Sequence, residues 1–517
     1  MSRTPHPVED RMRQHRPVRR LAAIACTALA AAGLAVAVQP VASADSTAPT
    51  APVLTSVPLG HAGMWLTDAD GRAVILHGLN QVFKVPPYEP AADGFGDDDA
   101  AFLAQNGFDA MRVGVIWAAV EPQPGVYDDA YLDSIADTVQ TLAAHGIVSI
   151  LDFHQDLYNE KFQGEGAPAW AVLDKGRPNP ANGFPGNYFA NYAEEAAWDS
   201  FWSNAKASDG IGLQDHYAAA WAHVAARFAS APSVVGYEVM NEPWPGTLWE
   251  PCAIPLLGCP AFDRTLTAFY RRVTNAIRAV DTQHIVWVEP NVLMATVDAN
   301  NLGKIDDPNI AFSFHVYCPT ESEFQTNLLC TPLDDITIAT AKRYPAKYRL
   351  PWLMTEFGAT QDLANLAGDV AKADKFMLGW TEWAYSGNDK TSSSPDGQAL
   401  VLDPSQPPTG ANVLTAKLKT LAEPYPQAVA GTPKSWSFSG GKFTLTYSTA
   451  RVDGSGTFPA GALTSVAVPA IQYPNGYAVT VSGGQVVSAP NASTLQVASN
   501  PATGTVTVRV SATAANQ

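Results

Sequence analysis

The stretch "VVGYEVMNEPW", Val234 to Trp244, runs from apolar, β-rich residues straight into Asn241-Glu242-Pro243. A continuous apolar run of this length suits a strand buried on both faces. A carboxylate at its end is costly to bury without a partner or a task. Seven further runs share this form: "AVILHGLN", "AMRVGVIW", "IVSILDFHQD", "HIVWVEPN", "IAFSFHVY", "PWLMTEFG" and "MLGWTEWAY". Helix-like stretches such as "DAYLDSIADTVQTLAAHG" and "GLQDHYAAAWAHVAARFA" lie between several of them. Eight strands alternating with amphipathic helices predict an α/β fold, a (β/α)8 TIM barrel. An open doubly wound sheet is the competing architecture. It is disfavoured because no Gly-rich dinucleotide fingerprint follows any run.

The run ends favour the barrel. They carry Asn80, Arg112, His154 with Asp156, Asn241 with Glu242, Glu289, His315 with Tyr317, Glu356 and Trp383. Only a closed barrel brings eight such ends to one face, where active sites form. From about Ala428 charge falls, and Thr, Ser, Val and Gly dominate in runs such as "SWSFSGGKFTLTYST" and "GTVTVRVSATA". Short alternating runs with turn residues between them predict a C-terminal antiparallel β-sandwich domain. The expected organisation is a secretory signal peptide over 1–44, a flexible lead-in over 45–58, a catalytic barrel over 59–427 and the sandwich over 428–517.

The leader reading rests on an Arg-rich start, the apolar core "LAAIACTALAAAGLAVAV" and small residues "VASA" before Asp45. A membrane anchor is its alternative, and no other run is long enough to span a bilayer. Residues 1–44 hold six of the 32 basic and two of the 49 acidic residues, so the balance moves from −17 to −21 without them. So acidic a chain is a poor partner for nucleic acid and fits an uncharged substrate. Cys26 leaves with the leader. Cys252, Cys259, Cys318 and Cys330 remain and, in an exported chain, suggest two disulfides. Four cysteines allow three pairings; nearness favours Cys252–Cys259 and Cys318–Cys330. The cysteines lack the paired C-x-x-C spacing of zinc sites, and no His pair at i, i+4 occurs, so neither metal nor cofactor is expected.

Glu242 and Glu356 end the fourth and seventh runs. Two carboxylates can hydrolyse a glycosidic bond, one protonating the leaving oxygen and the other attacking the anomeric carbon or activating water. The alternative, two satisfied structural ion pairs, does not explain why both stand at strand ends among aromatic residues. Asn241 suits a sugar 2-hydroxyl, and Arg112 and Tyr317 suit a neighbouring carboxylate. His154, Asp156 and His315 suit sugar hydroxyls, and Trp383 offers an aromatic face. Glu289 is left without a role.

The motifs "MRVGVIWAAVEPQPGVYDDAYLD", "LDFHQD", "YEVMNEP", "FHVY" and "LMTEFG" resemble glycoside hydrolase family 5 over about residues 60 to 425. The resemblance implies a retaining double displacement, with Glu242 as acid/base and Glu356 as nucleophile. "HGLNQVFKVPPYEP", "LDFHQDLYNEKFQGEGAPAW" and "NEPWPGTLWEPC" resemble the endoglycoceramidase branch, which cuts the glycan from the ceramide of a glycosphingolipid. That branch also implies Lys84, His154, Asp156, Asn241, Tyr317 and Trp383 as sugar-binding positions. The expected partner is a glycosphingolipid at a membrane or micelle surface, and the expected state a monomer. Trp170, Phe184, Trp244, Trp249, Ile254, Leu256 and Leu257 are expected at the mouth as a lipid-facing wall. Another family 5 β-glycosidase (a glucosylceramidase, a galactosylceramide-selective enzyme or an endoglucanase) differs only in substrate, and a glycolipid-binding protein on a dead barrel is the non-catalytic alternative.

Overall fold

The computed structural model describes residues 57–254, 257–296, 298–318, 328–387 and 396–513. The leader, most of the lead-in and Leu256 therefore lie outside the described residues. Eight parallel strands close into a barrel. They are β1 (His77–Gln81), β2 (Ala110–Val115), β3 (Val148–Phe153), β4 (Val234–Glu238), β5 (Ile285–Val288), β6 (Ile310–Val316), β7 (Trp352–Phe357) and β8 (Gly379–Glu382). β8 pairs with β1 to complete the ring. Close approach of neighbouring strands needs glycine at two points. A Cβ on Gly78 would stand 1.9 Å from the Ala110 carbonyl oxygen, and one on Gly236 would stand 2.1 Å from that of Ile285.

The helices outside the ring form where capping and apolar spacing coincide. In α1 (Asp129–Ala144) the Asp128 carboxylate accepts from the Ala130 and Tyr131 N–H groups, satisfying donors that the first turn leaves free. Leu132, Ile135, Val139 and Leu142 recur at helical spacing and are buried. α2 (Leu213–Phe228) and α3 (Pro260–Arg278) pack side by side, and α4 (Leu363–Phe376) is capped by Asp362. Among the described residues no helix is long and apolar enough to cross a membrane. One end of the barrel is plugged by Leu76, Ala110, Ile150, Val235, Ile285, Trp287 and Leu353. Charged and polar side chains lie at the other end.

Two antiparallel sheets form the C-terminal module. The strand pairs within Thr432–Ser439, Lys442–Ser448, Thr505–Ala512 and Tyr477–Ser482 make a four-stranded sheet whose Phe443, Leu445, Tyr447, Val506, Val508 and Val510 face its core. The seven-stranded sheet is less expected. It takes in three N-terminal strands, Gly60–Ala62, Trp65–Thr67 and Ala73–Val74, and the last pairs with Tyr425–Val429. Residue 428 falls inside that strand. The run "AVILHGLN", read above as one strand, is thus two. Its alternation explains the division: Ala73 and Ile75 enter the sandwich core, while Val74 and Leu76 enter the barrel plug. Trp436 in the sandwich donates its indole N–H to Asp374 of α4.

Candidate active site

The polar end of the barrel is organised around Arg112. Its guanidinium is fully buried. Nε pairs with Glu238; Nη1 lies 3.0 Å from Asn80 Oδ1 and 2.5 Å from Glu356 Oε1. Nη2 lies 2.8 Å from Asn241 Oδ1 and 3.0 Å from Asp152 Oδ2. Five polar contacts match the five N–H groups of the side chain. The neighbouring carboxylate expected for Arg112 is Glu356, and the guanidinium was also counted among the substrate-binding groups. With these partners it is instead the floor that holds the strand ends in place.

Glu356, in β7, accepts from Arg112 on one oxygen and from the Tyr317 hydroxyl, at 2.7 Å, on the other. Burial, and then the charges of Glu356 and Glu242, raise the Tyr317 pKa well above its ordinary value, so the phenol stays a donor. Glu242 stands just beyond β4 with a backbone φ of 46°, in the left-handed region. Burial first, and then the nearby Asp156 charge, push its pKa up to about 7. His315 Nδ1 lies 2.8 Å from Glu242 Oε1 and 3.5 Å from Glu356 Oε2. Burial lowers the His315 pKa to about 4 against the pull of Glu356, so the ring is neutral near pH 7. His315 therefore sets the position of Glu242. One oxygen from each of the two glutamates and one His315 nitrogen all lie within 4.8 Å of one another.

The remaining expected residues form a second group beside the pair. Lys84 pairs with Asp156, and its ammonium stands 4.4 Å from the Trp383 ring centre. His154 stacks on Trp383 at 5.2 Å and places Nδ1 2.7 Å from Asp152 Oδ2. Burial and Lys84 work against charging His154, yet the hydrogen bond and charge of Asp152, with Asp156, hold its pKa up at about 9. Burial opposes charge on Asp156 too, but Lys84 and His154 outweigh it and hold the carboxyl far below its usual range. Trp383 donates its indole N–H to Gln398 at 2.9 Å. Asn241 accepts from Arg112 and donates to the Gln155 carbonyl at 3.0 Å, which fixes the amide.

Two residues that matter here were not singled out from the sequence, Asp152 and Glu238, and Glu289 was named at a run end without a role. Glu238 and Asp152 carried a signal in their period-two position inside buried strands, where a charge must be paired. Glu289 is buried and accepts the Glu242 backbone N–H at 3.0 Å.

The mouth differs from expectation in two places. Trp244 is 1 % exposed, packed against Tyr188 and Phe189, and Trp170 packs on Trp117 while donating to the Glu121 carbonyl. These tryptophans hold the loops together; Trp244 is buried and not lipid-facing, and Trp170 is half-buried. Trp249 is half-buried in the same cluster. Phe184, Ile254 and Leu257 are exposed, the last two at 49 % and 63 %. Leu248 and Phe189 join them. The Cys252–Cys259 and Cys318–Cys330 disulfides are both formed, and the first closes the loop that carries Ile254 and Leu257.

Residues 67–389 match the glycosyl hydrolase family 5 cellulase model, and residues 424–510 match the glycoside hydrolase family 5 C-terminal domain. The chain is 34% identical to endoglycoceramidase I of Rhodococcus hoagii over 479 residues, covering 89% of each chain. It also resembles two solved structures of endo-glycoceramidase II from Rhodococcus sp. The lactosyl-enzyme intermediate is 32% identical at a TM-score of 0.70, covering 87% of this chain and 100% of that one. The ganglioside GM3 complex is 30% identical at a TM-score of 0.70, covering 87% and 99%. With both of its domains matched and the barrel's strand ends carrying the paired glutamates, the chain belongs to glycoside hydrolase family 5 and is an enzyme of the endoglycoceramidase type.

Proposed function

We propose that this enzyme hydrolyses the β-glycosidic bond between the oligosaccharide and the ceramide of glycosphingolipids with retention of configuration. The observation that carries the reading is the contrast between two neighbouring carboxyls. Glu242, with its pKa near 7, holds a proton to give. Glu356 has both oxygens oriented by Arg112 and Tyr317. In the first step a Glu356 oxygen bonds the anomeric carbon as the bond to the ceramide oxygen breaks, and Glu242 passes its proton to that oxygen. In the second, Glu242 takes a proton from water, whose oxygen displaces Glu356 and releases the glycan. Oxygens within 4.8 Å of one another support direct attack, since inversion needs carboxyls about 6.5–9.5 Å apart to admit a water. The lactosyl-enzyme intermediate of the Rhodococcus relative supports the same course.

Lys84, His154, Asp156 and Trp383 supply charged donors, an acceptor and an aromatic face for the sugar. Exposed Leu248, Ile254, Leu257 and Phe184 suit the lipid. Burying apolar lipid surface there is worth about 25 cal/mol per Å². That binding energy positions the scissile oxygen beside Glu242 and raises turnover as well as affinity. The test is incubation with a ganglioside, lactosylceramide, glucosylceramide and a cello-oligosaccharide, followed by mass spectrometry. Intact glycan and free ceramide from the first two support the reading. Cleavage confined to glucosylceramide or to the cello-oligosaccharide overturns it.

Export completes the proposal. The Arg-rich, then apolar, residues 1–44 and the two disulfides support an oxidising, extracellular destination. N-terminal sequencing of secreted protein should begin at Asp45, and an uncleaved chain retained in the membrane would reject this.

A further inference from the structure

We infer that Glu289, at the end of β5, is a positioning residue that holds the Asn241-Glu242-Pro243 turn so that Glu242 can deliver its proton. This role rests on the proposed assignment of Glu242 as acid/base. The turn leaves the sheet in steps. The Val239 N–H still donates to the Trp287 carbonyl at 3.1 Å and the Asn241 N–H to that of Phe153 at 3.1 Å. At Glu242 the backbone swings to a φ of 46°, and no strand carbonyl meets its N–H. Residue 243 is proline and has no N–H. The Gln155 amide holds the Asn241 and Glu242 carbonyls at 3.0 and 3.1 Å, but the Glu242 N–H is the turn's own last backbone donor before the proline, and Glu289 Oε2 accepts it at 3.0 Å. A non-glycine residue in this conformation persists only where its surroundings over-determine it.

Glu289 also reaches the other side of Glu242. Its Oε1 lies 3.6 Å from His315 Nδ1, the atom that faces Glu242 Oε1. One carboxyl thus borders both the backbone and the side-chain partner of Glu242. Glu289 is itself pinned. The Tyr270 hydroxyl of α3 donates to its carbonyl at 2.6 Å, and its N–H returns to that hydroxyl at 3.3 Å. Burial, followed by the charges of Glu238 and Glu242, pushes its pKa well above the carboxylate range. That direction favours the protonated form, which accepts the N–H without adding a second anion beside Glu356. Its role is geometric and not that of a second charge.

A residue that aims the acid matters most when the leaving group needs a proton. Ceramide leaves as a poor alkoxide unless protonated; 2,4-dinitrophenolate leaves unaided. The experiment compares kcat/KM of Glu289→Leu, Glu289→Asp and Glu289→Gln on lactosylceramide and on 2,4-dinitrophenyl lactoside, with thermal unfolding to confirm the fold. E289L removes the acceptor. E289D keeps a carboxyl one methylene too short to reach the N–H, and decides the matter if E289L does not fold. In either, kcat/KM on lactosylceramide falls by about 10²-fold, the scale of lost general-acid assistance, while the dinitrophenyl substrate loses only a few fold. E289Q, whose amide oxygen still accepts, recovers most of the loss. Equal losses on both substrates, no loss on either, or E289Q as damaged as E289L would overturn the inference. A native protein inactive on lactosylceramide would overturn the functional reading beneath it.

Discussion

Nη1 of Arg112 lies 2.5 Å from Glu356 Oε1 while Nε of the same side chain pairs with Glu238 and Nη2 sits 3.0 Å from Asp152. One buried cation therefore serves three carboxylates on three strands. Arg112→Met should leave uncompensated buried charge and cost about 3–5 kcal/mol of stability, read by chemical denaturation. Arg112→Lys restores the charge without the planar fork, so it should recover part of the stability yet lower kcat/KM about 10²-fold. A fully active, fully stable Lys variant would show that the fork is dispensable.

Glu356 is expected to carry the covalent intermediate. Glu356→Gln should abolish hydrolysis and leave thermal unfolding near that of the native chain. A 2-deoxy-2-fluoro lactoside with a good leaving group should trap an adduct on the peptide that contains Glu356. An adduct on any other residue, or an inverted first product by NMR, contradicts the double displacement.

The raised pKa of Glu242 gives a signed pH dependence. The acid form is required, so kcat/KM for lactosylceramide should fall as pH rises through about 7. The dinitrophenyl lactoside, which needs no proton, should lack that alkaline limb. The same limb on both substrates would assign it to another group.

At the mouth, Ile254→Asp and Leu257→Asp place charge on side chains that are now 49 % and 63 % exposed. Because neither is packed, stability should change by less than about 0.5 kcal/mol. Glycosphingolipid cleavage should drop at least tenfold relative to a soluble aryl lactoside if the patch receives ceramide. Parallel losses on the two substrates would remove the lipid role.

The contact between barrel and sandwich should also respond to pH. Burial raises Asp374 to about 7, and burial with the Asp374 charge raises Glu423 to about 8. The folded chain holds protons that the unfolded chain releases near pH 4, so this stability is complete below that point. It is lost as pH rises toward 7 to 8. Asp374→Asn keeps an oxygen for the Trp436 indole N–H and should flatten the fall in Tm between pH 5 and 8. An unchanged slope would place the effect elsewhere.

Much of the site was legible in the chain because strand ends announce themselves. Glu242, Glu356 and Tyr317 each follow an apolar run, and a closed ring leaves such residues one place to go. The Arg112–Glu356 contact was legible too, but the reach of the Arg112 network and the task of Glu289 were not. Arg112 takes partners from four strands and from Asn241 just past β4, and the Glu242 N–H reaches Glu289 only because the backbone turns left-handed after β4. Trp244 looked like a wall of the mouth, but whether an aromatic side chain faces solvent depends on how neighbouring loops fold over it. Phe189 and Trp249 decided that here. The N-terminal strands were missed because their partner lies some 350 residues away, beyond any local pattern.

That long-range pairing makes biosynthesis wait. Val74 is made early, yet Ala428, the residue it faces across the sheet, emerges only after the whole barrel. At about 5–20 residues per second the delay is roughly 20–70 s, during which Ala73–Val74 keeps one edge open. An open edge invites pairing with the wrong chain. The last module therefore acts as a clasp, and a nascent chain halted at the eighth barrel strand is unfinished at its beginning as well as at its end.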